Sequence, residues 1–259
     1  MHAWLKSIVA GVAVGLGLLL AAQPVQAQDV PPASPADAPL VTFGHFAPFA
    51  ADVAGTAVDV RVNGTQVYTD VIYGNFVVGQ EFAAGATLVE VMEAGAETLI
   101  VSTTNTLADD KLYYLFVIGG ANAQPIALRW QEYDKSAQPG KSRITVGHLA
   151  PLSSNLSFTA VNICTDAGDL VVGDLRYGDI RADMDFAPGL YDLKITSGAG
   201  GCLFLLYDMP PFFLAAGAYS DAFAVGLNGS VPFPPNILTT TGLLAAFNFL
   251  PAVLNATVE

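Results

Sequence analysis

The chain has 259 residues, and 10 Lys and Arg against 23 Asp and Glu give it a formal net charge of −13. That charge repels the nucleic-acid backbone and anionic lipid headgroups alike, which argues against nucleic acid as a partner. A charged fraction of 13% with 53% apolar residues excludes a disordered chain. The 25 Gly and 16 Pro residues among short Val-rich runs favour an all-β protein.

The first 27 residues have the pattern of a secretory signal peptide. A lysine precedes an apolar run at 8–22, and residues 25–27 (Val-Gln-Ala) form the small-x-small sequence that a signal peptidase cuts. The alternative, a single membrane anchor, is weaker because the run is shorter than the ~20 residues needed to span a bilayer. We therefore predict cleavage after Ala27 and a secreted or cell-surface protein.

The strongest local prediction is a β-hairpin near residue 63. Residues 57–62 alternate Val with Asp59 and Arg61, which is the period of two of a half-buried strand. Asn63-Gly64 follows, and these residue types best tolerate the positive φ angles of a type I′ turn. Further short apolar runs, the last of them at 112–118 and 125–130, predict about seven or eight strands and a sandwich rather than a barrel.

The same landmarks occur twice in the chain. Residues 41–49 recur at 144–152 with five identical positions, in which Thr42, Gly44, His45, Ala47 and Pro48 correspond to Thr145, Gly147, His148, Ala150 and Pro151. Three later segments recur in the same order: 70–75 at 174–179, 82–85 at 186–189, and 116–119 at 223–226. A duplicated unit of about one hundred residues fits a small sandwich and is too long for a solenoid repeat.

We therefore predict an all-β protein with two tandem antiparallel β-sandwich (immunoglobulin-like) domains. The predicted order is a signal peptide at 1–27, a Pro-rich spacer at 28–39, repeat 1 at 40–135, a polar linker at 136–142 and repeat 2 at 143–259. Repeat 2 includes a tract without charged side chains, 222–258, whose segment 243–250 is strongly apolar. Its length, Asn248 and Pro251 argue against a membrane span, which leaves a terminal packed strand or a contact surface for a partner.

Both cysteines of the chain, Cys164 and Cys202, lie in the second repeat. In an oxidising compartment the default is one disulfide, which the chain-entropy model values at roughly 3 to 4 kcal/mol. Two buried free thiols are the alternative.

His45 and His148 hold equivalent positions in the two repeats. They could be metal ligands or general bases, but each repeat lacks a second imidazole or thiolate to complete a zinc site. We predict that each imidazole instead bonds nearby backbone and fixes the turn that a proline completes. Gly85 and Gly189 are predicted to occupy turn positions with positive φ. The structural motif positions are thus His45, Pro48, Gly85, His148, Pro151 and Gly189.

Other polar and aromatic residues offer weaker candidates for binding. Acidic pairs could supply oxygen ligands to calcium, although none matches an EF-hand loop; these are Asp109 with Asp110, Asp166 with Asp169, and Asp183 with Asp185. Trp130 and Tyr133 could form a sugar-stacking platform, although packing at the domain edge is the stronger interpretation. No hydrolase elbow, metal-binding His-Glu helix or phosphate-binding loop occurs. We therefore predict no catalytic, metal or cofactor-binding residues.

The motifs resemble a known family. His45-x-Ala-Pro48, residues 57–64, Tyr73-Gly74 and Phe82-x-x-Gly85 are similar to the bacterial secreted repeat family named domain of unknown function 4397, here in two tandem copies. That family typically reads His-x-Ser-Pro, Val-Asp-Val-Tyr-Val-Asn-Gly, Tyr-Gly and Pro-x-Gly. The family's Ser is Ala in both copies, and residues 157–162 replace the Val-Asp-Val motif in the second. The resemblance implies an extracellular or cell-surface β-sandwich module without an assigned activity.

The leading functional hypothesis is a secreted or cell-surface, non-catalytic protein that serves as a structural or adhesive module. Its partners would be other extracellular or envelope proteins or glycans, met through sheet faces, strand edges or loop tips. One alternative is a module that binds a glycan or calcium through its acidic and aromatic loops. An uncharacterised hydrolase is the second alternative.

Overall fold

The computed structural model describes residues 38–227 and 229–239, which belong to one compact unit. These residues form β-strands and three 3-10 turns of three residues each, so the all-β prediction is confirmed. Within this described part, no helix has the length and apolar character needed to cross a membrane. The predicted signal peptide, the spacer up to residue 37 and the apolar segment 243–250 lie outside the described residues.

The first repeat folds into two four-stranded sheets. Its strands are β1 (Leu40–His45), β2 (Val58–Val62), β3 (Thr65–Val71), β4 (Phe76–Glu81), β5 (Gly85–Glu93), β6 (Leu99–Leu107), β7 (Leu112–Ile118) and β8 (Ala127–Tyr133). One sheet has the order β4-β1-β7-β8, and we call it the inner sheet because it faces the second repeat. The outer sheet has the order β3-β2-β5-β6. All neighbours are antiparallel except β1 and β7, which run parallel.

The second repeat has the same strand order. Its strands are β9 (Ser142–His148), β10 (Val161–Thr165), β11 (Leu170–Leu175), β12 (Ile180–Phe186), β13 (Gly189–Tyr191), β14 (Leu193–Ser197), β15 (Leu205–Asp208), β16 (Phe212–Leu214), β17 (Tyr219–Val225) and β18 (Asn236–Leu238). The inner sheet is β12-β9-β17-β18, with β9 and β17 parallel, and the outer sheet is β11-β10-β14-β15. The duplicated landmarks therefore mark duplicated strands.

One hairpin differs between the repeats. In the first repeat, β5 and β6 form a ladder that runs from Gly85 opposite Leu107 to Met92 opposite Leu99. In the second, the same ladder is divided into β14 with β15 and β13 with β16. Residues 209–211 (Met-Pro-Pro) separate β15 from β16. Proline has no N–H to donate, so it interrupts the pairing at this point.

The core of the first sandwich follows from the alternation seen in the sequence. Val58 and Val60 are fully buried between the two sheets. Asp59 and Arg61, which alternate with them along β2, are only half-buried. The hairpin that follows is also confirmed, since Asn63 and Gly64 have φ angles of 49° and 80°. Positive φ at both positions is what a type I′ turn requires.

The two inner sheets pack against each other. Their facing side chains form a layer of mainly aromatic residues contributed by both repeats, which we call the inter-repeat layer. Its buried members are Phe46, Tyr114, Phe116, Ile118, Tyr133, Leu149, Phe223 and Val225. Each inner sheet is thus covered on both faces, by its own outer sheet and by the other repeat. Residues 134–141 connect β8 to β9 without regular structure.

Candidate functional site at the junction of the repeats

In each repeat the first strand of the inner sheet ends in a histidine, and a tight turn follows. The residue after the proline donates its backbone N–H to the carbonyl of the residue before it. The distances are 3.0 Å from Phe49 to Ala47 and 2.8 Å from Leu152 to Ala150. Such an i-to-i+2 bond defines a γ-turn, and the proline ring holds φ close to the value that the inverse form needs.

The two imidazoles make the same hydrogen bond. Nε2 of His45 lies 2.8 Å from the carbonyl oxygen of Thr56, and Nε2 of His148 lies 2.8 Å from that of Thr159. Because a carbonyl can only accept, Nε2 carries the hydrogen in both rings. The Nδ1 atom of His45 then accepts the N–H of Ala47 at 3.3 Å. Each ring therefore holds a distant stretch of backbone next to its own turn.

The threonines extend this network to the Tyr-Gly landmark. The hydroxyl oxygen of Thr56 accepts the backbone N–H of Tyr73 at 2.9 Å and donates to the carbonyl of Val53 at 2.6 Å. In the second repeat, Thr159 is bonded in the same way to Tyr177 at 3.1 Å and Leu156 at 2.7 Å. Sequence reasoning found the His and Tyr-Gly landmarks separately and missed the threonines that join them.

Both histidines are neutral at neutral pH. Burial lowers the pKa of His45 and of His148 to about 4, since desolvation penalises the charged imidazolium. The hydrogen bonds to the threonine carbonyls act in the opposite direction with smaller effect. The rings are 0% and 1% exposed. Both Nε2 atoms and the Nδ1 of His45 thus bond backbone, whereas the buried Nδ1 of His148 has no hydrogen-bond partner among the described residues.

A buried carboxyl lies in the inter-repeat layer. The hydroxyl of Tyr114 donates to Oδ1 of Asp221 at 2.5 Å and also bonds the hydroxyl of Tyr219. Burial raises the pKa of Asp221 to about 6, although both tyrosine hydroxyls favour the carboxylate. Sequence reasoning missed this contact. Extending the match of Phe116 with Phe223 back by two residues aligns Tyr114 with Asp221, but equivalence of position does not by itself indicate contact.

Polar contacts between the repeats surround the aromatic layer. Arg129 Nε donates to the carbonyl of Gly178 at 3.1 Å, and the side-chain amide of Gln124 donates to that of Ser153 at 3.1 Å. The backbone N–H of Asp134 donates to Asp183 at 2.7 Å. An apolar centre with a polar rim is the usual anatomy of a stable protein interface.

The acidic pairs proposed for calcium have other surroundings. Asp185 pairs with Arg143 through two 3.1 Å hydrogen bonds, and Asp183 lies 3.9 Å from the same guanidinium. Arg143 lowers the pKa of Asp185 below its usual range. The remaining four acids are exposed in turns: Asp109, Asp110, Asp166 and Asp169. Within the described residues, no group of three or more His, Cys, Asp or Glu side chains is placed to hold a metal ion.

Trp130 and Tyr133 lie on opposite faces of β8. Trp130 packs edge-on against Tyr113 at 6.3 Å in the first core, whereas Tyr133 stacks on Tyr114 at 3.9 Å in the inter-repeat layer. Tyr133 is only 4% exposed. The two rings therefore do not form a common platform for a sugar.

A disulfide joins Cys164 on β10 to Cys202, which lies between β14 and β15. Their Cα atoms are 5.9 Å apart, and 38 positions separate them in the sequence. The bond fixes the segment before β15 to the outer sheet. That segment continues with Leu203 and Phe204, which are 84% and 64% exposed.

The outer surface of the second repeat carries a pair of large apolar side chains. Leu190 on β13 lies directly opposite Phe213 on β16, and their residues are 72% and 64% exposed. In the first repeat the equivalent cross-strand pair is Ala86 opposite Thr106. Gly85 opposite Leu107 and Gly189 opposite Leu214 fix this equivalence. The second repeat thus exposes large apolar groups where the first has small ones.

Comparisons with other proteins give a partial family match and a distant structural similarity. A solved structure, "The fimbrial anchor protein Mfa2 from Porphyromonas gingivalis", is similar over 81% of this chain and 100% of that chain, with 10% sequence identity and a TM-score of 0.20. No conclusion about partners follows from a TM-score of that size. No curated protein matches the chain in sequence.

The family match covers the motifs described above. The family model described as Domain of unknown function (DUF4397) matches residues 40–159. The match starts at the first residue of β1 and ends at Thr159, so it includes the first repeat and the histidine turn of the second. The predicted resemblance to this family is confirmed over residues 40–159.

Proposed function

We propose that the protein is an exported, non-catalytic module of the cell surface that works by contact, as a structural or adhesive element. The observation that carries the proposal is the exposed pair of Leu190 and Phe213 on the second repeat. Paired large apolar side chains on an outer strand gain about 1.5 to 3 kcal/mol each when a partner covers them fully. Such a pair is characteristic of a surface that meets another protein or the envelope.

The first repeat supplies an internal comparison. The same fold places Ala86 and Thr106 at the equivalent positions, so the architecture does not require large apolar groups there. The second repeat has therefore diverged at a site where the large apolar pair stays mostly exposed among the described residues, which favours contact with a partner. We assign the partner-binding surface to the outer side of the second repeat.

Several groups that could otherwise support chemistry are used within the fold. His45 and His148 bind backbone carbonyls in buried turns, and Asp185 pairs with Arg143. These contacts favour a structural role for the duplicated motif. They give no specific support to the calcium, glycan or hydrolase alternatives, which calorimetric titration with calcium and a glycan panel would test directly.

The test replaces the apolar pair by the residues of the first repeat. Leu190→Ala with Phe213→Thr should reduce binding of the labelled protein to envelopes of the cells that produce it by ten-fold or more. The melting temperature should stay within about a degree, since both side chains are mostly exposed. Val78→Ala is the matched control, because Val78 is 59% exposed on the first repeat. Unchanged binding by the double variant, or equal loss with Val78→Ala, would contradict the proposal.

A further inference from the structure

The second sandwich contains a cavity of about 170 Å³ between its inner and outer sheets. Val146, Ala222 and Ala224 line it from the inner sheet, and Ile163 and Ile195 line it from the outer sheet. The lining is almost entirely apolar. Among the polar residues at its edge, His148 bonds Thr159 through Nε2 and Asp221 bonds Tyr114. The buried Nδ1 of His148 and Oδ1 of Asn236 have no hydrogen-bond partner among the described residues.

The first repeat shows why the second is hollow. Strand β7 pairs in parallel with β1, and β17 pairs in parallel with β9. Because β1 and β9 end in equivalent histidines, these registers align β7 with β17 residue by residue. One face of this strand points toward the outer sheet of its own repeat, and on that face the large side chains of the first repeat are replaced by small ones in the second. The replacements are Tyr113 by Ser220, Leu115 by Ala222 and Val117 by Ala224. The fold can therefore be filled by its own side chains, and in the second repeat it is not.

The cavity reaches the surface at the interrupted hairpin. Met209 and Pro210 line it at the gap between β15 and β16, and Pro210 is exposed. The same prolines that break the ladder thus leave an opening into the space between the sheets. In the first repeat, β6 runs through this position as a continuous strand.

We propose that this cavity is a binding site for a small apolar molecule, the size of a single aromatic ring or a short alkyl chain. Apolar cavities of roughly 150 Å³ stay dry and accept benzene or xenon, because water finds no hydrogen-bond partners in them. A ligand whose hydrocarbon part enters beside Pro210 would occupy the space that Tyr113, Leu115 and Val117 fill in the first repeat.

The chain itself offers one competing occupant, the apolar sequence 243–250. That sequence holds five large side chains, namely Leu243, Leu244, Phe247, Phe249 and Leu250. A space of about 170 Å³ takes about one of them, since a single benzene ring fills a cavity of similar size. The volume therefore fits a small ligand better than this segment.

Benzene is the probe for the test, with the full chain and thermal unfolding as the readout. We expect saturating benzene to raise the melting temperature by a few degrees, because a ligand that binds only the folded state stabilises it. Ala222→Leu restores the residue of the first repeat and should abolish this shift. The matched control Ala216→Leu makes the same change at an exposed turn and should keep it. Ala224→Val is the smaller filling variant to use should Ala222→Leu not fold.

Two results would overturn the proposal. A shift that persists unchanged in the filled variants would place benzene elsewhere on the protein. A shift absent from the wild type and present only after Leu244→Asp with Phe247→Asp would mean that residues 243–250 occupy the site. Xenon chemical shifts measured on the same variants give a second readout that does not depend on unfolding.

Discussion

His45 and His148 set how the protein responds to acid. Each has a folded-state pKa of about 4, below the usual value of 6.5 for histidine, so the unfolded chain takes up the proton first. The stability that each neutral ring contributes is present above pH 6.5 and is lost as the pH falls toward 4, by roughly 3 kcal/mol per ring. Urea unfolding at pH 7, 5.5 and 4 should therefore show a falling free energy of unfolding. A flat profile over this range would contradict buried, neutral histidines.

Asp221 acts in the opposite direction. Its folded pKa of about 6 lies above the usual value of 3.8 for aspartate, so protonation between these values favours the folded state. Asp221→Asn removes the stabilisation that protonation of Asp221 gives at acidic pH and keeps the shape of the side chain. We expect the variant to lose stability more steeply than the wild type between pH 6 and pH 4. A shallower loss in the same urea titrations would mean that the carboxyl is not buried as described.

The two motif glycines allow a comparison of backbone strain. Gly85 has φ of +104° and Gly189 has φ of +157°, and an added Cβ would meet nothing within 4 Å at either position. Only backbone conformation then distinguishes them. Gly85→Ala should lower the free energy of unfolding by about 1 kcal/mol or more, and Gly189→Ala by less, because +157° is close to the extended region. Equal losses in denaturant midpoints would argue against a conformational role for Gly85.

Among elements, those fixed by local chemistry were predictable from the sequence. The Asn63-Gly64 hairpin and the strand at 112–118 agree with the structure, because turn preference and apolar alternation act over a few residues. Strand β4 (Phe76–Glu81) was not predicted, since Gly79 interrupts its apolar run. The contact of Tyr114 with Asp221 could not be predicted from alignment alone. It depends on the inner sheets facing each other, which is a property of packing between repeats.

The disulfide is an element-scale feature whose contribution can be measured. Closing a loop between positions 38 apart should stabilise the fold by roughly 4 kcal/mol in the chain-entropy model. Cys164→Ala with Cys202→Ala should lose about this amount in urea unfolding. Dithiothreitol should lower the free energy of unfolding of the wild type by a similar amount and leave that of the double variant unchanged. Reductant sensitivity in the variant would mean that the loss has another origin.

At the scale of the whole molecule, duplication explains why the two sandwiches are joined. Each inner sheet has apolar residues on both faces, and a copied domain with that property can cover its second face with its own copy. The equivalent residues Phe116 and Phe223 meet across the junction with ring centres 4.9 Å apart. Once the pairing existed, the outer surfaces and the cores were free to diverge, as Leu190 and the cavity in the second repeat illustrate.

This arrangement predicts that the repeats unfold together. Separating them would expose the inter-repeat layer, so calorimetry should give one transition rather than two. Phe223→Ala, in the second repeat, should cost about 3 to 5 kcal/mol, as for other large-to-small core changes. It should also lower the unfolding midpoint reported by the fluorescence of Trp130, in the first repeat, to the same extent as the calorimetric midpoint. A Trp130 transition that Phe223→Ala leaves unmoved would show that each sandwich is stable alone, and that the aromatic layer joins two independent domains.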